Sequence, residues 1–302
     1  NLEDDFVIKA ESCYRCGISC HKNIYEKKDD GSRGAFRAKF DYEPLNLLAT
    51  NLGVHDAEQA WQLVQLVDNL GMDAISCGST VGYVLDYNGR HPDAPLLNGA
   101  TFGDFEKIRE LIEGAGRGTM PEVGQGVKRL SVKTGETGYA MHVKGLELPA
   151  YLPETNPGYP WAIAGGHMTM GTFMSLVMEG DTSMDYWVKA ITQKGLYQVR
   201  DDLLGTCKFA GMGQKMAIGA VQVEGGIDIP LEDLLAAVRR AYLRGLAIER
   251  KQGYGLDEYT LPAEAVDAPN PKVKTPSFIT RDFLAELQQK VWEVFEPEIA
   301  AL

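Results

Sequence analysis

Residues 13–20 read CYRCGISC, which places three of the chain's five cysteines at C-x2-C-x3-C spacing. Thiolates are soft ligands, suited to zinc or to an iron–sulfur cluster. Either centre needs a fourth ligand, and the remote candidates are Cys77 in AISCGST and Cys207 in LLGTCKF. Structural zinc sites usually pair two closely spaced ligands with two more. Three clustered cysteines with one distant partner are closer to a [4Fe-4S] pattern, with zinc and unrelated thiols left as alternatives.

The segment around Cys207 carries a second signal. DLLGTCK, from Asp202 to Lys208, has the same form as DNLGMDA, from Asp68 to Ala74. Both read Asp-x-x-Gly-x-(Cys/Asp)-x. The plain explanation is two helix ends, since glycine commonly follows a helix as a left-handed cap. Two copies in one chain, one of them holding a needed cysteine, point further than that explanation does.

The elements that would position these residues are mostly helices. Asp56 opens DAEQAWQLVQLVDNLG as an N-cap, with Gln59 three positions on in capping-box style. Ala60, Leu63, Val64 and Val67 repeat at helical spacing, and Gly71 ends the pattern. Asp104 opens DFEKIRELIEGAG in the same way, with Phe105, Ile108, Leu111 and Ile112 on one face. LEDLLAAVRRAYLRGLAIERKQG has acids early and bases late, as the helix dipole favours. RDFLAELQQKVWEVF is the last clear helix. Strand signals are few and short, AMHV and AVQV among them. The expected fold is mainly α, with long loops and two helical domains at 1–155 and 156–302.

The chain has 302 residues, 44% of them hydrophobic, enough for two domains or one large one. A formal charge of −12 argues against nucleic acid as the main partner. No apolar run is long enough to span a membrane, and no signal-peptide pattern opens the chain. A long, cysteine-poor chain suits a reducing cytoplasm better than a secreted disulfide scaffold. The opening at Asn1 reads as a processed or truncated piece, or as one part of a split polypeptide.

Together these segments resemble the aldehyde:ferredoxin oxidoreductase family of tungsten enzymes. FDYEPLNLLATNLGV is similar to the family's Glu-Tyr-Glu stretch. VKGLELPAYLP resembles its K-G-x-E-x-P-A-Y-x-P loop, AGGHMTMG its Gly-Gly-x-His region, and ERKQGYGLDEYTLP its late R-x-G-(x)-D-x-L-P stretch. The resemblance runs from about Cys13 to Pro262. It implies a [4Fe-4S] cluster on Cys13, Cys16, Cys20 and Cys207. It also implies a tungsten bis-pyranopterin held by Asp68, Gly71, Met72 and Asp73 and by Asp202, Leu203, Gly205, Thr206 and Lys208. Met72 and Thr206 stand where the family usually has Leu. The carboxylates suit the paired N–H donors of a pterin, and glycine lets backbone approach a flat ring. The family's N-terminal β-domain is absent from this stretch, so that domain becomes an implied partner. An iron–sulfur electron-transfer subunit or ferredoxin and a small-molecule substrate are the others.

Cys77 stands where many aldehyde-oxidising relatives have Thr or another small residue. A buried free cysteine is commonly just a small hydrophobe. Its place four residues after Asp73 instead suggests a thiolate ligand to tungsten, a metal already bound by soft sulfur. Such a ligand resembles the class II benzoyl-CoA reductase branch of the family. Asp41 in DYE matches the family's first Glu, and His167 its active-site His, so both are expected to handle protons. His21, His55, His91 and His142 read as structural or surface residues. Lys128 and Arg129 in GQGVKRL suggest phosphate or CoA binding less strongly than a solvated helix start. The expected activity is ATP-independent dearomatisation of an aromatic acyl-CoA. Aldehyde oxidation to a carboxylic acid, or a zinc-stabilised non-catalytic module, are the alternatives.

Overall fold

The computed structural model describes residues 2–151, 153, 156–163, 180–207, 209–210, 213–267 and 278–302. The chain divides into two compact units, Asn1–Tyr151 and Leu152–Leu302. Helices predominate in both.

After a single helical turn at Leu2–Asp5, the first unit forms a three-stranded antiparallel sheet, β1 Phe6–Glu11, β2 His21–Lys27 and β3 Arg33–Lys39, in the order β1-β2-β3. The sequence signals above do not include it. Its strands mix charged and apolar residues, so period-two alternation is weak. One legible signal is Asp30-Gly31 between β2 and β3, where Gly31 takes φ +77° and Ser32 N–H donates to Asp30 Oδ1 at 2.9 Å. Glu11 ties the strands together, accepting from Asn23 at 2.5 Å and from Tyr25 at 3.0 Å.

Five helices follow: α1 Tyr42–Leu48, α2 Ala57–Asn69, α3 Ala74–Arg90, α4 Phe105–Arg117 and α5 Val127–Thr134. The predicted caps form. Asp56 accepts from Gln59 N–H at 2.9 Å, and Asp104 accepts from Lys107 N–H at 3.3 Å. Ala60, Leu63, Val64 and Val67 are buried, as are Ile108, Leu111 and Ile112, so both apolar stripes face the core. AMHV contributes β4 His142–Val143, which pairs with β5 Leu146–Glu147.

In the second unit, α6 Met184–Lys189 passes through a π-helical turn, Ala190–Lys194, into α7 Gly195–Leu203. Then come α8 Gln214–Gly225, α9 Leu231–Lys251 and α10 Arg281–Ala300. AVQV, expected as a strand, lies inside α8. Four alternating residues are too few to outweigh the helix formers Gln, Lys, Met and Ala around them. The core gathers Trp161, Trp187, Tyr242, Leu246, Trp292 and Phe295. Tyr242 is wholly buried but donates its hydroxyl to Trp161 O at 2.7 Å, which satisfies the polar end.

Candidate active site

The three clustered cysteines sit on the loop between β1 and β2. Glu11 pairs with His21, so residues 12–20 form the hairpin connection. Cys16 N–H donates to Cys13 O at 3.0 Å, which closes a turn over the C-x2-C step. Arg15 and Ser19 hold φ +57° and +51°, sparsely populated for residues with side chains. Ser12 and Ser19 hydroxyls meet at 2.8 Å, and Lys22 Nζ donates to Ser19 O at 3.0 Å. Cys13 and Cys20 are exposed, Cys16 is half-buried, and all three are free thiols, as are Cys77 and Cys207. His21, read from sequence as structural or surface, places Nε2 3.3 Å from Cys13 Sγ. Among the described residues no three His, Cys, Asp or Glu side chains gather closely enough to hold a metal ion. The donor set and the turn fit thiolate ligation of a cluster: soft, accessible sulfurs on one loop.

The two Asp-x-x-Gly segments have one and the same geometry. After α2, Gly71 takes φ +68°, its N–H donates to Asp68 O, and Met72 N–H donates to Val67 O, both at 3.1 Å. After α7, Gly205 takes φ +67°, its N–H donates to Asp202 O at 3.0 Å, and Thr206 N–H donates to Asp201 O at 2.9 Å. Both are Schellman caps, with the two crossed bonds that define the motif. The helix-end explanation is therefore structurally correct, and it is also what repeats. Each cap leaves its Asp exposed on the last helical turn and delivers Asp73 or Cys207 just beyond the glycine. Thr206 adds a hydroxyl bond to Asp201 O at 3.0 Å, which Leu could not make. Lys208 lies outside the described residues, as does His167.

Asp73 ends one element and starts the next. Its Oδ1 accepts from Ser76 N–H at 2.7 Å, the N-cap of α3, and Cys77 N–H donates to Asp73 O at 3.0 Å. Cys77 is buried in the first turn of α3. It lines a cavity of about 490 Å³ with Met72, Asp73, Ser76, Gly124, Gly126 and Glu147, among others. A Cβ added at Gly124 would meet nothing within 4 Å. The cavity thus offers open space, a soft sulfur and two carboxylates, which suits a flat ligand carrying a thiophilic metal. Burial, and after it the charge of Asp73, push the Cys77 thiol up to about 12. A cation at that sulfur would oppose both effects.

The acid–base candidates part company here. Asp41 bonds to Lys39 Nζ at 2.9 Å and accepts from Lys22 N–H at 3.4 Å, so its charge is already matched. Glu43, in the first turn of α1, accepts from Ala150 N–H at 2.7 Å through Oε2, while Oε1 is buried without a partner. Burial raises its pKa above the usual carboxylate range, partly offset by the Ala150 N–H. Tyr42 donates to Ala150 O at 2.7 Å. The DYE stretch and the K-G-x-E-x-P-A-Y loop therefore join at one residue, Ala150, more than a hundred residues away in sequence.

Two residues of this site had no role assigned from sequence alone, although Glu147 stands at the Glu of the K-G-x-E-x-P-A-Y-x-P loop. Ser76 and Glu147 lie inside stretches quoted above, but only the fold brings them together, Ser76 Oγ donating to Glu147 Oε2 at 2.8 Å.

Comparison with known proteins agrees with the geometry. The family model described as aldehyde ferredoxin oxidoreductase, domains 2 and 3, matches residues 1–295. A tungsten-containing aldehyde ferredoxin oxidoreductase of Pyrococcus abyssi is 24% identical over 91% of this chain and 48% of its own length. The protein of the same name from Pyrococcus furiosus is 28% identical over 51% of this chain and 26% of its own. An aliphatic sulfonate oxidoreductase, WOR-like subunit, of Pyrococcus furiosus is 31% identical over 48% of this chain and 25% of its own. The chain spans about half the length of the relatives it matches along most of its sequence. With the cysteine loop, both capped Asp-x-x-Gly turns and the match along nearly its whole length, the chain belongs to the aldehyde ferredoxin oxidoreductase family.

Proposed function

We propose that this chain carries the cluster and pterin-binding half of a cytoplasmic tungsten oxidoreductase. Its reaction would be the two-electron, two-proton reduction of an aromatic acyl-CoA ring to a cyclic diene. The observation that carries this reading is Cys77, a buried thiol one turn into α3, facing the cavity from the helix that Asp73 caps. A tungsten bis-pyranopterin, when bound, supplies two-electron chemistry at low potential.

The chain's own residues do the rest. Asp68, Met72 and Asp73 with the first cap, and Asp202, Leu203 and Thr206 with the second, would present carboxylates and backbone to the pterins. Lys208 would complete the second set. Cys13, Cys16, Cys20 and Cys207 would hold the [4Fe-4S] cluster. Electrons would come from an iron–sulfur subunit or ferredoxin, and the family's N-terminal β-domain would be a further partner. Glu43 is better suited than Asp41 to hold or move a proton, since it has an unpartnered oxygen and a raised pKa. His167 remains a proton donor on the resemblance alone.

A second reading rests on the relatives' names. In it an aldehyde and water yield a carboxylic acid, two protons and two electrons, the electrons passing to ferredoxin. One experiment decides between them: assay the purified, metal-loaded protein against a panel of aldehydes and aryl-CoA thioesters, with Cys77→Ser alongside. The reductase reading expects aryl-CoA turnover that Cys77→Ser abolishes. Aldehyde oxidation that survives Cys77→Ser would overturn it. Colourless protein with one zinc per chain would reject both.

A further inference from the structure

Glu147 is a carboxylate with 5% of its surface exposed, and both oxygens are engaged by other elements. Oε1 accepts from Val127 N–H at 2.7 Å, and Oε2 accepts from Ser76 Oγ at 2.8 Å. Val127 is the first residue of α5, whose N-cap, Gly126, has no side chain to satisfy that amide. Glu147 therefore caps α5 from across the cavity. Gly126 permits the approach: a Cβ there would lie 2.8 Å from Glu147 Oε1.

Ser76 is fixed from several directions. Its N–H is held by Asp73 Oδ1 at 2.7 Å, its carbonyl accepts from Thr80 Oγ1 at 2.7 Å, and its hydroxyl donates to Glu147. Cys77 is the next residue, and both line the cavity with Gly126 and Glu147. We propose that Glu147 is a positioning residue for Cys77. Its carboxylate clamps the first turn of α3 to the start of α5, which fixes where the Cys77 sulfur stands in the cavity wall. A buried carboxylate with two donors cannot lose one of them without cost, so the clamp resists local opening. Its importance for turnover rests on the reading of Cys77 as a metal ligand; its control of the thiol's position does not.

The test is peptide-resolved thiol labelling of the purified full chain without metal, followed by tungsten content of the same variants after loading. Glu147→Ala and Ser76→Ala are expected to speed labelling of Cys77 by about tenfold, the scale of one lost hydrogen bond to a charged group. Glu147→Gln keeps the acceptor for Val127 and is expected to fall between them and the wild type. Ile24→Ala, a core change in β2, lowers overall stability and is expected to leave the protection of Cys77 in the folded chain unchanged. Tungsten per folded chain is expected to fall in the order of the labelling rates. If Glu147→Ala does not fold, Ser76→Ala and Glu147→Gln carry the test. Labelling at the wild-type rate in both of those, or equal acceleration by Ile24→Ala, would overturn the proposal. Faster labelling with unchanged tungsten content would leave the clamp standing and reject Cys77 as the ligand.

Discussion

Gly78 of α3 faces the carbonyl of Leu47 in α1 so closely that a methyl group on Gly78 would lie 2.5 Å from that oxygen. The helix that carries Cys77 and the helix that carries Glu43 are thus packed backbone against backbone. Asn51 spans the same seam, donating to Gly78 O at 3.4 Å. This contact fixes how the thiol and the carboxyl are set within the first unit.

Gly78→Ala should therefore destabilise the chain by about 1–3 kcal/mol, the usual scale of overpacking where backbone must move. Urea denaturation monitored by circular dichroism measures it. A neutral or stabilising effect would mean that the helices are not in contact at this point.

The two Schellman caps make a matched prediction. Neither Gly71 nor Gly205 has an atom within 4 Å of an added Cβ, so the cost of alanine is backbone strain alone. Gly71→Ala and Gly205→Ala should each cost about 1–2 kcal/mol. Equilibrium unfolding of the two variants checks this, and clearly unequal losses would show that the turns are not equivalent.

Cys77 predicts an alkaline instability. The folded thiol keeps its proton to about pH 12, against an ordinary value of 9.0. The stability this contributes is fully present below pH 9 and is lost as pH rises toward 12, up to about 4 kcal/mol. In the metal-free chain, Cys77→Ser should flatten the decline between pH 9 and the highest pH at which folding can be followed. A slope unchanged by the substitution would show that the thiol is not held neutral by its surroundings.

Glu43 predicts a division between activity and stability. Its raised pKa means that ionisation costs stability as pH rises past the usual carboxylate range. Glu43→Gln should leave the chain at least as stable at neutral pH while lowering turnover by about a hundredfold or more, the scale of a lost general acid or base. Asp41→Asn should cost much less turnover, because Asp41 is already paired with Lys39. Steady-state kinetics and thermal melts of both variants separate the two roles, and the reverse order would return the proton role to Asp41.

Much of this was legible in the residues. The apolar stripe Ala60-Leu63-Val64-Val67, with Asp56 before it and Gly71 after it, specifies α2 and its cap by local rules alone. Glu43 and Glu147 stand at motif positions, but their roles were not legible, because what distinguishes them is burial and a distant partner. The bonds from Ala150 to Glu43 and from Ser76 to Glu147 join residues that only the tertiary fold brings together. The β1–β3 sheet is faint in the sequence for a related reason. Its strands are half-exposed and charged, and their pairing supplies what their composition does not. AVQV failed in the opposite direction, an alternation too short to resist a helical context.

The central claim is that the Cys77 sulfur meets the metal in the cavity that Asp73 and Glu147 help to wall. Tungsten-edge X-ray absorption on the protein isolated with its cofactor tests it most directly, comparing wild type with Cys77→Ser at equal tungsten content. The account predicts one more sulfur neighbour in the wild type than in the variant. Identical sulfur shells in the two would contradict it.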